Sequence, residues 1–259
     1  MISRQQHQSL ANQQRERPLN GPGLYNGTLY LARRELRRTW RSYIWALVLA
    51  PLMGVAVAFM LGATPWHFGN AGAGLLFFIL IAVLPRASNW HSGESVSSGW
   101  ATSSNGHISF LRGLPLTARQ IAAARALVSV VSVIALCAAF FTPLYSLSAP
   151  LREELGASGY LFFAAFWVGC ALAFEALGVL TELGFSRIAG MLVYAAAIFL
   201  SGAVAGGIIG SGATMVSAVS GLMRDYGALP ALVALTVGCG ALTLSWLATS
   251  ARLRKKETR

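Results

Sequence analysis

Lysine is nearly missing from this chain of 259 residues: Lys255 and Lys256 are the only two. A phosphate-cradling P-loop needs Gly-Lys-Ser or Gly-Lys-Thr. Lys255 follows Arg254 and Lys256 precedes Glu257, so the chain has no P-loop of its own. Cysteine is scarce as well. Cys137, Cys170 and Cys239 all fall in apolar stretches without CxxC spacing, which makes them small packing residues and not metal or redox ligands. The four histidines, His7, His67, His91 and His107, lie outside those stretches, and no H-E-x-x-H occurs. With no nucleophile and base evident in an apolar stretch either, the sequence speaks against an intramembrane enzyme and against a metal site.

What the chain has is apolar length. Hydrophobic residues make up 55% and charged residues 11%, with a mean hydropathy of +0.59, well away from soluble averages. Six stretches are long enough to cross a bilayer: Ser42 to Leu61, Gly69 to Ser88, Ala126 to Leu147, Gly159 to Leu180, Ile188 to Gly210 and Leu229 to Ala248. Threading the chain through them puts 18 of its 20 basic residues on one side and leaves only Arg152 and Arg224 opposite. Because Lys and Arg in short loops mark the cytoplasm, the expected fold is an all-α membrane protein of six transmembrane helices with cytoplasmic N and C termini. The net charge of +11 follows from these flanks, so anionic lipid and not nucleic acid is the expected neighbour. The spans, residues 42–251 as one transmembrane domain, leave little room for a catalytic domain.

Residues 1–23 are rich in Gln, Asn and Ser with no apolar period, which predicts a disordered cytoplasmic tail. The first apolar stretch starts only at Ser42 and is longer than a signal-peptide h-region. Over residues 24–41, Tyr25, Leu29, Ala32, Leu36 and Trp40 recur at helical spacing, while Arg34, Arg37, Arg38 and Arg41 take the other side with Arg33 at the border. That pattern predicts an interfacial amphipathic helix, its stripe in the acyl boundary and its guanidinium groups at lipid phosphates. A solvated basic helix that only fixes topology is the plainer alternative. At the other terminus, residues 252–259 read as a basic cytoplasmic tail.

The cytoplasmic loop after the second span begins near Asn89 and is Ser- and Gly-rich in its first half, which reads as irregular. Its second half ends in a helix start. Thr117 and Gln120 form a T-x-x-Q capping box, and Leu116 and Ile121 stand at the positions of a hydrophobic staple. The helix then continues without Gly or Pro into the third span, so a push on Phe110 to Arg119 would reach a rigid transmembrane lever. A capped helix end with no partner is the competing reading.

A basic amphipathic helix, six spans with both termini inside, and an LP-x-(hydroxyl)-x-R-(E/Q)-I run together resemble the permease subunit of type-2 ATP-binding-cassette exporters. The run here is Leu114, Pro115, Leu116, Thr117, Ala118, Arg119, Gln120, Ile121. The resemblance implies a permease in the plasma (inner) membrane of a prokaryote, paired with a second permease chain as a homo- or heterodimer. It further implies a separate nucleotide-binding subunit that holds ATP and Mg, with no cofactor in this chain. Phe110, Leu111, Arg112, Leu114, Pro115, Thr117 and Arg119 would then couple the permease to that ATPase.

A secondary transporter or channel without an ATPase is the alternative, since carriers place ionisable groups within spans. Only Glu175 is clearly so placed, about five residues from the cytoplasmic end of the fourth span. A structural role, with Arg125 at the base of the third span as a candidate partner, competes with a proton relay. In the fifth span Gly202, Gly206 and Gly210 recur every four residues, a pattern that permits close helix packing within one subunit or between two. After it, Met215, Val216, Val219, Leu222 and Met223 mark a short helix too polar to span, either a plain surface helix or one that closes the exit, as the resemblance implies. The sparse charge of the spans points to a lipophilic or amphipathic substrate moved outward.

Overall fold

The computed structural model describes residues 24–63, 117–184 and 215–257, with isolated helical positions between 192 and 203. The expected second span, the glycines Gly202, Gly206 and Gly210 of the expected fifth span, residues 1–23, and Phe110 to Leu116 lie outside the described residues. Five helices order the rest: α1 (Leu24–Ala63), α2 (Ala118–Leu147), α3 (Ala149–Gly184), α4 (Met215–Tyr226) and α5 (Leu229–Glu257). Four carry windows long and apolar enough to cross a membrane: Tyr43–Leu61, Arg119–Leu147, Ala149–Leu180 and Leu229–Arg252. The chain is a multi-pass helical membrane protein. α4, with 12 residues, rises only about 18 Å against a hydrocarbon core of about 30 Å and cannot cross.

Each helix has a local reason to begin or turn where it does. Thr117, in extended conformation, caps α2: its hydroxyl accepts from Gln120 N at 3.3 Å, and its own N–H donates to Gln120 Oε1 at 2.8 Å. The capping box read from sequence is therefore present. At the other end Ser148, with φ −91° and ψ 91°, is the one non-helical residue between α2 and α3. α3 then breaks at Gly156, whose φ of 64° and ψ of −177° suit only glycine, so a short corner segment, residues 149–155, precedes the long run. Pro150 sits in its first turn, where a missing N–H costs no helical bond.

Helix directions follow from which residues meet. Tyr160 bonds Phe141 and Glu175 bonds Ser129, so α3 runs antiparallel to α2. On α1, Leu31, Ala32 and Tyr43 cluster with Ile121, Ala124 and Val128, while a Cβ on Gly54 would fall against the Phe140 carbonyl oxygen, so α1 and α2 run parallel. Gly169 faces Ala234 and Leu235, and Gly238 faces Gly169 and Leu172, so α3 and α5 are parallel too. Each parallel pair shares more contact within itself than the two pairs share with each other.

All the described basic residues but Arg152 and Arg224 therefore gather at one end of the bundle, here the basic end. Arg152, Arg224, Glu153, Glu154 and Asp225 are at the far end, where α4 lies against α3 through a 2.8 Å bond from Ser220 Oγ to Glu154 Oε1. Glu153 and Glu154 are helical and exposed, and Glu154 is tied to α4. Val216, Val219 and Met223 of α4 join the main core.

α1 joins the basic segment and the first span in one helix. No break marks residue 41, and one helix of 40 residues, about 60 Å long, runs through the boundary between the basic segment and the first span. α5 likewise carries its helix through the basic tail as far as Glu257.

Candidate functional site

The seam where α2 meets α3 and α5 holds the polar groups of the span interior, and its basic end holds the described part of the expected coupling segment. Thr117 and Arg119 are exposed at the start of α2, and Gln120 is buried by its part in the cap. Two neighbours brace this start. Trp246 of α5 donates from Nε1 to the Arg119 carbonyl at 3.4 Å, and α1 contributes an apolar cluster of Leu31, Ala32 and Tyr43 around Ile121, Ala124 and Val128, with Leu36 packed against it.

That cluster takes up part of the expected interfacial stripe. Ala32 is buried and Leu36 half-buried against α2, whereas Leu29 and Trp40 are exposed, as are Arg34 and Arg37 on the basic face. The side chains of Tyr25, Arg38 and Arg41 are outside the described residues. Exposed basic and aromatic side chains thus flank the stripe, while its middle serves helix packing.

Further along the seam Glu175 is buried, and Ser129 Oγ donates to its Oε1 at 3.0 Å. Ser129 lies one turn beyond Arg125 on the same helix. Ser245 and Thr249 on α5 are also buried toward the basic end, and their hydroxyls have no partner among the described residues.

Toward the far end the seam becomes aromatic. Tyr160 lies 4.8 Å from Tyr145, 6.3 Å from Phe141 and 6.1 Å from Phe163, centroid to centroid, and its hydroxyl donates to the Phe141 carbonyl at 2.8 Å. The Arg152 guanidinium stands 5.9 Å from the Tyr145 ring, a cation–π contact that closes this end. Among the described residues no three His, Cys, Asp or Glu side chains gather in a way that could hold a metal ion.

Searched against protein-family models, curated proteins and solved structures, the chain matches none. What it does has to be read from its own residues. Several of those escaped the sequence: Ser129, Trp246, Tyr160 and the close-contact glycines Gly54, Gly169 and Gly238. The glycines left a usable signal, since a glycine inside an apolar span costs helix stability unless a backbone must approach it.

Proposed function

We propose that this chain is the transmembrane permease subunit of an ATP-binding-cassette exporter, moving a lipophilic or amphipathic molecule outward on ATP hydrolysed by a separate subunit. The observation that carries this reading is the braced start of α2. A helix start that is capped by Thr117, packed by α1 and bonded by α5 will transmit a push along its whole length and will not fray under it. The sequence has no P-loop, which fits a push supplied by a partner that holds ATP and Mg.

Helix directions support six crossings. α1 ends at the far end and α2 starts at the basic end, and the sequence between them holds Gly69 to Ser88, which is apolar and long enough for a crossing. α3 likewise ends at the basic end and α4 lies at the far end, and Ile188 to Gly210 between them is apolar and long enough in sequence. Arginine at the basic end then supports cytoplasmic termini, in the plasma membrane of a prokaryote, with a second permease chain completing the translocation path.

The test is co-purification with a nucleotide-binding subunit and substrate-stimulated ATPase activity. Leu111→Asp and Arg112→Glu place negative charge on the expected docking segment without touching the spans, and each should weaken docking, because an interface core tolerates unpaired charge poorly. Unchanged docking and activity in both variants, in protein that still inserts, would sink the coupling role. Glu175 is the observation that favours a second reading, an ion-coupled carrier, since a buried carboxyl within a span serves proton relays elsewhere. Transport that persists without ATP but collapses with the ion gradient would select it.

A further inference from the structure

We propose that the bundle moves as two rigid bodies, α1 with α2 and α3 with α5, which part at the basic end while staying joined at the far end. This inference does not depend on which energy source drives the chain.

Rigidity within each pair comes from backbone contact. A Cβ on Gly54 would strike the Phe140 carbonyl oxygen and stand 3.1 Å from Pro143 Cγ. In the other pair a Cβ on Gly169 would meet Leu235 N at 2.6 Å and the Ala234 carbonyl, and one on Gly238 would meet the Gly169 carbonyl oxygen. Helices in such contact cannot slide or tilt against each other without losing it along the whole crossing. Apolar packing reinforces the first pair at the basic end, where the cluster of Leu31, Ala32, Tyr43, Ile121, Ala124 and Val128 belongs wholly to α1 and α2.

Between the pairs the two ends differ in what would be lost on parting. At the far end Tyr160, Phe163, Phe141 and Tyr145 form a continuous aromatic contact with the Tyr160–Phe141 bond inside it. At the basic end the ties between the pairs include polar ones, Ser129 to Glu175 and Trp246 to the Arg119 carbonyl. Water entering there replaces both and also reaches the buried hydroxyls of Ser245 and Thr249. Aromatic contacts have no such substitute. The hinge is covalent as well: α2 and α3 are joined at the far end, where Ser148 and Gly156 leave helical geometry and can take up a change of angle.

Double spin labels on the full chain in lipid nanodiscs test this, with Cys137, Cys170 and Cys239 replaced by alanine. Four cysteine pairs at exposed or half-exposed positions are read by pulsed electron resonance: Arg119 with Ala251 across the basic end, Ser146 with Ala157 across the far end, Ile44 with Val131 inside one pair, and Leu161 with Val233 inside the other. Expected is a second, longer population, by roughly 5 Å or more, for the basic-end pair alone. Glu175→Ala or Trp246→Phe, each removing one tie, should raise that population about fivefold, the effect of one hydrogen bond on a two-state equilibrium. A second population inside either pair or across the far end overturns the proposal. So does a single narrow distance across the basic end that neither variant broadens.

Discussion

Where α3 leaves the far end, Tyr160 and Phe163 meet α2 ring against ring, and fifteen residues after Tyr160 the same two helices meet through one hydroxyl and one carboxyl. Both contacts are buried, yet they resist separation differently. In lipid, helix association gains little from hydrophobicity, because tails are as apolar as the side chains they would replace, so shape-matched aromatic packing carries the far end. A polar contact in the same setting is held mainly by the cost of leaving its groups unpaired, and that cost vanishes once water arrives. A helix pair can therefore be permanent at one end and releasable at the other without any change in backbone geometry.

The largest effect should come from the crossing that both ends presuppose. Gly169→Val puts side-chain carbon where the backbone of Ala234 and Leu235 already stands, and α3 and α5 must separate to accept it. Overpacking of this kind should cost roughly 3 kcal/mol or more and abolish a monodisperse peak in detergent. Gly240→Val is the control, since a Cβ at this position would have nothing within 4 Å. If both variants behave alike, the close approach of α3 and α5 is not what holds that pair.

Phe163→Ala attacks the aromatic end. Phe163 is fully buried and lies 6.2 Å from both Phe141 and Trp167, so its removal leaves a cavity walled by rings. The expected loss is about 3 kcal/mol, measured as a shift in thermal unfolding in detergent micelles. A loss below about 1 kcal/mol would mean that the far end relaxes and does not anchor the seam. Tyr160→Phe is the finer probe, keeping the ring and deleting only the bond to Phe141, and should cost about 1 kcal/mol in the same assay.

How much of this could be read from sequence depends on distance along the chain. The start of α2 is legible because Thr117 and Gln120 decide it between themselves, and α4 is legible because Val216, Val219 and Met223 keep one helical face. Four apolar windows are legible for the same local reason, while α3's beginning at Ala149 is not: Arg152, Glu153 and Glu154 lower the hydropathy of a segment whose helix propensity is good. Hydropathy marks where lipid is, not where a helix stops, which is why α1 runs on through residue 41. Partners across the bundle are the least legible. Nothing in the sequence near Gly169 announces Gly238, and the hydroxyl that meets Glu175 is one among several serines on α2.

Glu175→Gln should have the smallest effect and says most about the basic end. Glutamine keeps the shape of the side chain and an oxygen able to accept from Ser129, so the described contact survives. If the seam holds a hydroxyl–carboxyl contact, unfolding should shift by no more than about 0.5 kcal/mol, within the range of a substitution that removes no partner. If instead Glu175 balances a buried cation, glutamine strands that charge, and the cost rises to about 3–5 kcal/mol. Ser129→Ala separates the two cases further. With a hydroxyl contact, Ser129→Ala combined with Glu175→Ala should cost less than the sum of the two, because each removes the same bond. Additive losses would mean that Ser129 and Glu175 act on different partners, and the basic end would then be held by something other than the tie that makes it releasable.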